Sequence, residues 1–301
     1  LTCTYPLIGN YGIPKDGFES DRIQIQGLIV QEYSEQYSHA AAVQSLEGWM
    51  QGQDIPGITG IDTRALTQRL RENGVMLGQI VQGGNRRKQH ISDPNDRNLV
   101  ADVSIAKPKR YNPKGKTKIM AIDCGMKEHI VRSFVSRNVA LTRVPWDYNV
   151  LQNADAWDGL FISNGPGDPT MVDVTITHLQ EALKLNKPIF GICLGAQLLA
   201  LAAGAKTYKL KYGHRSQNQP CVEIGTDRCY LTTQNHGYAI RASSLPRNWN
   251  VWFENANDGS VEGIRHASKP FTAVQFHPEA TPGPTDTNFL FDTFIRDIRS
   301  S

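Results

Sequence analysis

The chain has 301 residues, 40% hydrophobic and 20% charged, with a formal net charge of +3. That length favours two domains over one, and a small positive excess scattered along the sequence gives no footprint for nucleic acid. No run approaches the roughly 18 to 20 apolar residues of a membrane helix and no basic-then-apolar leader opens the chain, so the expectation is a cytoplasmic protein with no membrane partner.

Five cysteines, an odd number without a paired C-x-x-C, argue against a disulfide framework and a structural zinc site. They are expected to be free thiols, and no metal is expected in this chain. The sequence opens on LTCTYP, without Met and inside what reads as a strand, so it is expected to begin partway through a longer polypeptide.

Residues 1–105 mix short extended runs, as at 23–30, with one helix over 62–71 whose Ala65, Leu66, Arg69 and Leu70 share a face. Asp62 reads as its N-cap and Gly74 as its C-cap, after which 77–81 returns to strand. The basic group Arg86-Arg87-Lys88 reads as loop. Residues 106–118, with two prolines, a glycine, several lysines and no apolar period, read as an inter-domain linker.

From 119 to 301 the texture becomes alternating: strands at 119–122, 140–145, 159–162 and 188–192, interleaved with helices at 128–138, 174–185 and 196–203. This is the pattern of an α/β domain with an open, mostly parallel sheet flanked by helices, preceded by a smaller α+β domain. Shorter strands follow at 221–224, 228–233, 249–255, 261–265 and 271–276, with a closing helix at 288–298.

The segment PIFGICLGAQLLA (188–200) carries the chemistry. An apolar run stops at Cys193 between Gly191 and Gly195 and resumes as a helix, the arrangement that presents a nucleophile on a strained strand-to-helix turn. There it faces unpaired backbone N–H groups and the positive end of a helix dipole. The same thiol would read as a buried small hydrophobe if it stood alone.

His277-Pro278-Glu279 follows the run at 271–276, so an imidazole and a carboxylate leave the sheet at the edge where the thiol sits. Alternation along an extended segment puts both side chains on one side, giving nucleophile, base and orienter in Cys193, His277 and Glu279. SNGPGDP (163–169) is a two-glycine turn at another strand end, whose N–H groups are free to face an oxygen, as in half of an oxyanion hole. TQNHGYA (233–239) reads as a loop offering an amide, a glycine and an aromatic ring.

Together GICLGAQ, SNGPGDP, QNHGYA and QFHPE resemble the class I glutamine amidotransferases. LTCTYPLIGNYG (1–12), GIDTRALT (60–67) and GAKTYK (204–209) extend the likeness to the small subunit, or glutaminase domain, of carbamoyl-phosphate synthase. Trp146-Asp147, YGHR (212–215), NQPC (218–221) and NANDG (255–259) resemble the form found in multifunctional eukaryotic proteins of pyrimidine synthesis.

The resemblance implies that Cys193 attacks the amide of L-glutamine to give a glutamyl thioester. His277 would be the base and then protonate ammonia, and Glu279 would orient His277. It implies an oxyanion hole from the N–H groups of Leu194 and Gly165, with Gly167, Gln197, Asn235, Gly237 and Tyr238 at glutamine-binding positions. No cofactor is implied in this domain; ATP and a divalent metal belong to the synthetase partner that receives the ammonia. Residues 1–105 would dock on that synthetase, and pyrimidine synthesis is favoured over arginine.

Two departures stand out: Ala196 where the family has histidine, and a glutamine-contacting serine of the family that would precede Leu1. Two other readings are compatible with the residues: a non-catalytic regulatory or docking domain, which an intact Cys193 disfavours, and an amidotransferase of another synthase, which residues 1–105 disfavour.

Overall fold

Unbroken apolar runs such as GLFI (159–162) and IFGI (189–192) suit strands covered on both faces, and in the computed structural model both are fully buried at the centre of a sheet. The structure describes residues 1–5, 7–81 and 91–301, which excludes the Arg86-Arg87-Lys88 group. The chain divides into two compact units, Leu1–Asp93 and Pro94–Ser301. Among the described residues no helix is long and apolar enough to cross a membrane.

The first unit contains β1 (Leu7–Ile8), β2 (Ile13–Pro14), β3 (Leu28–Ile29), β4 (Glu32–Tyr33), β5 (Ala42–Gln44), α1 (Leu46–Gln51), β6 (Gly57–Ile58) and α2 (Thr63–Asn73). Its strands form two-stranded pairs, β1 with β4 and β3 with β6 in parallel, β2 with β5 antiparallel. Its buried cluster is small: Leu28, Val30 and Met50, with partly covered neighbours such as Ile8 and Leu46. Helix α2 starts where its cap chemistry dictates, with the Asp62 carboxylate accepting the Ala65 N–H at 2.9 Å and Gly74 at its end. The expected return to strand at 77–81 does not occur, and Leu77, Ile80 and Val81 are exposed.

The second unit runs α3 (Val100–Val103), β7 (Lys109–Tyr111), β8 (Thr117–Asp123), α4 (Glu128–Ser136), β9 (Val139–Pro145), β10 (Gly159–Ile162), α5 (Asp173–Ala182), β11 (Ile189–Ile192) and α6 (Leu194–Ala202). It continues with β12 (Thr207–Glu223), β13 (Cys229–Ile240), β14 (Trp249–Asn255), β15 (Val261–His266), β16 (Phe271–Val274) and α7 (Phe289–Ser300). One sheet takes the order β13-β12-β14-β15-β16-β11-β10-β8-β9-β7.

The expectation of a mostly parallel sheet is corrected to a mixed one. Strands β16, β11, β10, β8 and β9 are parallel neighbours, while every pairing outside that block is antiparallel. Pairings of β12 with β13 and β14, and of β15 with β14 and β13, close a small antiparallel ring. The reason lies in the connections: parallel neighbours need helical crossovers, which the chain supplies up to α6, whereas beyond it the strands are joined by short turns that return the chain antiparallel.

The segment 106–118, expected as a linker, lies inside the second unit. Its Lys109–Tyr111 pairs antiparallel with β9 as an edge strand. An edge strand needs only its backbone groups satisfied, so a polar, proline-flanked stretch serves.

Alternation in β8 distributes the core to both faces of the sheet. Met120 and Ile122 join Leu160, Ile162 and Ile189 under α5 and α6, while Ile119 and Ala121 join Phe161, Phe190 and Ile192 under α4 and α7. Phe134 packs edge-on against Phe161 and Phe291 at centroid distances of 5.0 and 5.1 Å, tying α4 and α7 to the sheet. This layered frame fixes the carboxyl ends of β10 and β11, where α/β sheets hold their ligands.

Candidate active site

Cys193 sits between β11 and α6 with φ 55° and ψ −106°, a left-handed conformation uncommon for a non-glycine residue. Its N–H continues the ladder to the Val274 carbonyl of β16 at 2.8 Å, which fixes where the strand ends. The flanking glycines are required by contact. A Cβ on Gly191 would lie 2.6 Å from the Gly195 carbonyl oxygen, and one on Gly195 would overlap the Ile162 carbonyl. The elbow is therefore pressed against β10 and itself. Leu194, first residue of α6, carries an N–H that by position has no intrahelical acceptor.

Gly165 meets this elbow from the β10 side. A Cβ there would overlap the Cys124 carbonyl and lie 2.7 Å from a methyl of Leu194, so the 163–169 turn packs against the start of α6 only with glycine at this position. Buried Ser163 holds the turn, accepting from the Cys124 N–H at 2.9 Å and donating to the Asn164 carbonyl at 2.8 Å. Gly167 has φ +90°, also in the glycine region, and Asp168 caps the following turn through Thr170 N–H at 2.9 Å.

His277 follows β16, its N–H bonded to the Thr233 carbonyl of β13 at 2.9 Å. Its Nδ1 lies 2.7 Å from Oε1 of Glu279, and both side chains are buried. The residues lie in a turn closed by Ala280 N–H to the His277 carbonyl at 3.1 Å, not in the extended segment expected from alternation. The ring–carboxylate contact is reached by a different backbone path.

Burial works to lower the His277 pKa. The Glu279 charge, then the charge of Cys193 and a hydrogen bond with it, outweigh burial and raise the value from 6.5 to about 10. Burial likewise opposes ionisation of Glu279, but the neighbouring His277 charge and hydrogen bond, with help from Lys127, hold it below its ordinary value. Cys193, His277 and Glu279 are thus electrostatically one unit.

The expected glutamine-binding residues divide. Gln197 is buried and both its amide hydrogens are engaged, with the Tyr238 carbonyl at 2.8 Å and Gln275 Oε1 at 3.0 Å, so from α6 it ties β13 to the segment just after β16. Asn235, Gly237 and Tyr238 lie on β13, not in a loop; Asn235 is exposed and Gly237 and Tyr238 are half-buried. Ala196, where the resemblance led to the expectation of a histidine, is fully buried in the core.

Lys127 was not anticipated. Its Nζ lies 3.3 Å from Glu279 Oε1 and donates to the Ala280 carbonyl at 2.6 Å. The residue stands at the N-cap of α4 without a side-chain cap bond, where neither capping preference nor the helix dipole favours a lysine. That local conflict was the available signal. All five cysteines are free thiols; Cys124 and Cys221 are buried and Cys229 is exposed.

Residues 120–297 match the family glutamine amidotransferase class-I, which defines the class of the second unit. Residues 1–80 match the carbamoyl-phosphate synthase small chain, CPSase domain. The chain belongs to the carbamoyl-phosphate synthase small-chain family, as a two-part α/β protein with a class I amidotransferase domain.

Three relatives give the scale of the likeness. The multifunctional protein CAD of Squalus acanthias is 52% identical over 99% of this chain, which spans 14% of that protein's length. An arginine-specific small chain of carbamoyl phosphate synthase from Neosartorya fischeri is 46% identical over 99% of this chain and 69% of its own. A crystal structure from Thermoplasma acidophilum, described as that of a GMP synthase component, has a TM-score of 0.54 at 26% identity, covering 61% of this chain and 94% of that one.

Proposed function

We propose that the chain is the glutamine-hydrolysing part of a carbamoyl-phosphate synthase and passes ammonia to a synthetase domain or subunit. One observation carries this: a thiol on a strained elbow, electrostatically coupled to an imidazole that a buried carboxylate backs at 2.7 Å.

In this reading Sγ of Cys193 attacks the side-chain carbonyl carbon of L-glutamine, its proton passing to His277. The resulting oxyanion is held by the N–H groups of Leu194 and Gly165, whose packing against one another supports the assignment. The C–N bond breaks as His277 protonates the leaving nitrogen, and ammonia departs. Water then attacks the thioester, giving its proton to His277, and glutamate leaves as that proton returns to the thiol. Glu279 keeps the ring oriented and its charge balanced throughout.

Gly167, Gln197, Asn235, Gly237 and Tyr238 serve glutamine binding, Gln197 by holding the Tyr238 carbonyl in place. The domain works without a cofactor, ATP and a divalent metal being used by the synthetase partner. Residues 1–105 dock on that partner in the cytoplasm, and 119–301 carry the amidotransferase chemistry. A pyrimidine role is supported over an arginine role by the higher identity to the multifunctional relative, 52% against 46%.

A thiol-reactive glutamine analogue tests the reading on the full-length protein. It is expected to label Cys193 alone, with glutamine protecting. Exposed Cys229 is an internal control, and equal labelling of Cys229, or none at Cys193, would contradict the proposal.

A further inference from the structure

On β12 and β13, His214 and His236 stand directly opposite one another across the antiparallel pair, their rings 4.8 Å apart and nearly perpendicular. Glu262 of β15, fully buried, reaches the same point. His214 Nδ1 is 3.2 Å and His236 Nε2 3.7 Å from its Oε1, and the three ligand atoms all lie within 4.8 Å of one another.

The outward-facing nitrogens are also engaged. His214 Nε2 lies 2.9 Å from Oδ2 of Asp258, and His236 Nδ1 lies 2.8 Å from the Tyr238 carbonyl. A carbonyl only accepts, so Nδ1 of His236 carries a proton, and Nε2 is directed inward. An imidazole whose second nitrogen donates to a carboxylate or backbone carbonyl is the usual support of a histidine bound to metal.

His236 Nε2 faces two oxygens, Glu262 Oε1 and the Gln234 Oε1 at 3.2 Å, because the Gln234 amide hydrogens are directed to Cys221 Sγ and Thr232 Oγ1. The second oxygen of Glu262 is buried without a hydrogen-bond partner among the described residues. Two imidazole nitrogens and a carboxylate thus converge in a dry interior around a Glu262 oxygen that no donor among the described residues reaches, an arrangement a bound cation would satisfy.

We propose that His214, His236 and Glu262 bind a divalent transition-metal ion of the zinc and cobalt class. Two imidazoles with one carboxylate select such ions over magnesium or calcium. A tetrahedral ion with bonds of roughly 2.0 to 2.1 Å sets its ligands about 3.4 Å apart, near two of the separations present. Glu262 Oε2 or Gln234 Oε1 is the available fourth ligand. On binding, the ion displaces the proton that Glu262 and Asp258 draw onto His214. The three ligands come from three strands, so no short sequence spacing announces the site. The ion would clamp β12, β13 and β15 beside Gly237 and Tyr238, stiffening the strand whose Thr233 carbonyl holds the His277 N–H.

The test uses the 301-residue chain with Cys193→Ala and Cys229→Ser, which removes the catalytic and the exposed thiol as competing ligands, stripped of metal and titrated with Co2+. One equivalent is expected to produce the visible absorption of a four-coordinate site, abolished by added Zn2+. His214→Gln and Glu262→Gln are each expected to weaken Co2+ by about tenfold or more, with far-ultraviolet circular dichroism unchanged. X-ray absorption on the same chain loaded with Zn2+ needs no further variant and is expected to count two imidazole ligands and no sulfur. Absence of the cobalt spectrum, equal affinity in the folded variants, or fewer than two imidazoles would show that protons alone fill the site and overturn the proposal.

Discussion

Lys127 and His277 share one oxygen of Glu279: the ammonium lies 3.3 Å and Nδ1 of the ring 2.7 Å from Oε1. The carboxylate is fully buried, so the lysine both offsets its desolvation and, by also binding the Ala280 carbonyl, anchors the turn that presents it. Lys127 acts through Glu279, not on substrate. Lys127→Met is therefore expected to lower kcat by about tenfold, the worth of one charge-assisted hydrogen bond, with KM for glutamine little changed. Steady-state glutaminase assays check this; a raised KM at constant kcat would assign Lys127 to binding instead.

The titration of His277 has a definite sign. Its folded-state pKa is raised from 6.5 to about 10, so its contribution to stability is complete below pH 6.5 and is lost as pH rises towards 10. Glu279, held below its ordinary 4.5, contributes above that pH and loses its contribution as acid protonates it. Glu279→Gln removes the main cause that raises the His277 value and should bring it down by about one unit or more, read from the imidazole resonances. Urea midpoints should show the parent protein losing its advantage over Glu279→Gln between neutral pH and pH 10.

The turn at 163–169 was legible because two glycines and two prolines at a strand end have few other uses, and the contacts of Gly165 turn that into a quantitative expectation. Since a Cβ there would overlap the Cys124 carbonyl, Gly165→Ala must shift the turn and with it the N–H assigned to the oxyanion. A fall in kcat of about a hundredfold or more is expected. Gly78→Ala, where a Cβ would meet nothing within 4 Å, is the control and should leave kcat unaltered.

The parallel half of the sheet could be read from sequence because strands such as 159–162 are apolar at every position, and burial on both faces leaves no other solution. The elbow was legible for a similar reason, since Gly191 and Gly195 are dictated by backbone contact. The hairpin of β12 and β13 was mostly missed. Between Thr207 and Pro220 its side chains are polar and largely part-exposed, and bulges interrupt its register, so no alternation survives. The run at 77–81 misled in the opposite direction, being apolar yet exposed. Lys127 lay outside every motif because its partner Glu279 is distant in sequence and only the fold joins them.

The central claim is that Cys193 becomes covalently joined to the glutamyl group. Rapid acid quenching during turnover of glutamine, followed by peptide mass analysis, reads this directly. The account predicts one glutamyl group on the peptide containing Cys193, absent from Cys193→Ala, which should hydrolyse no glutamine while ammonia-dependent synthesis by the assembled enzyme continues. Glutamine turnover that persists in Cys193→Ala, or an adduct on another cysteine, would contradict it.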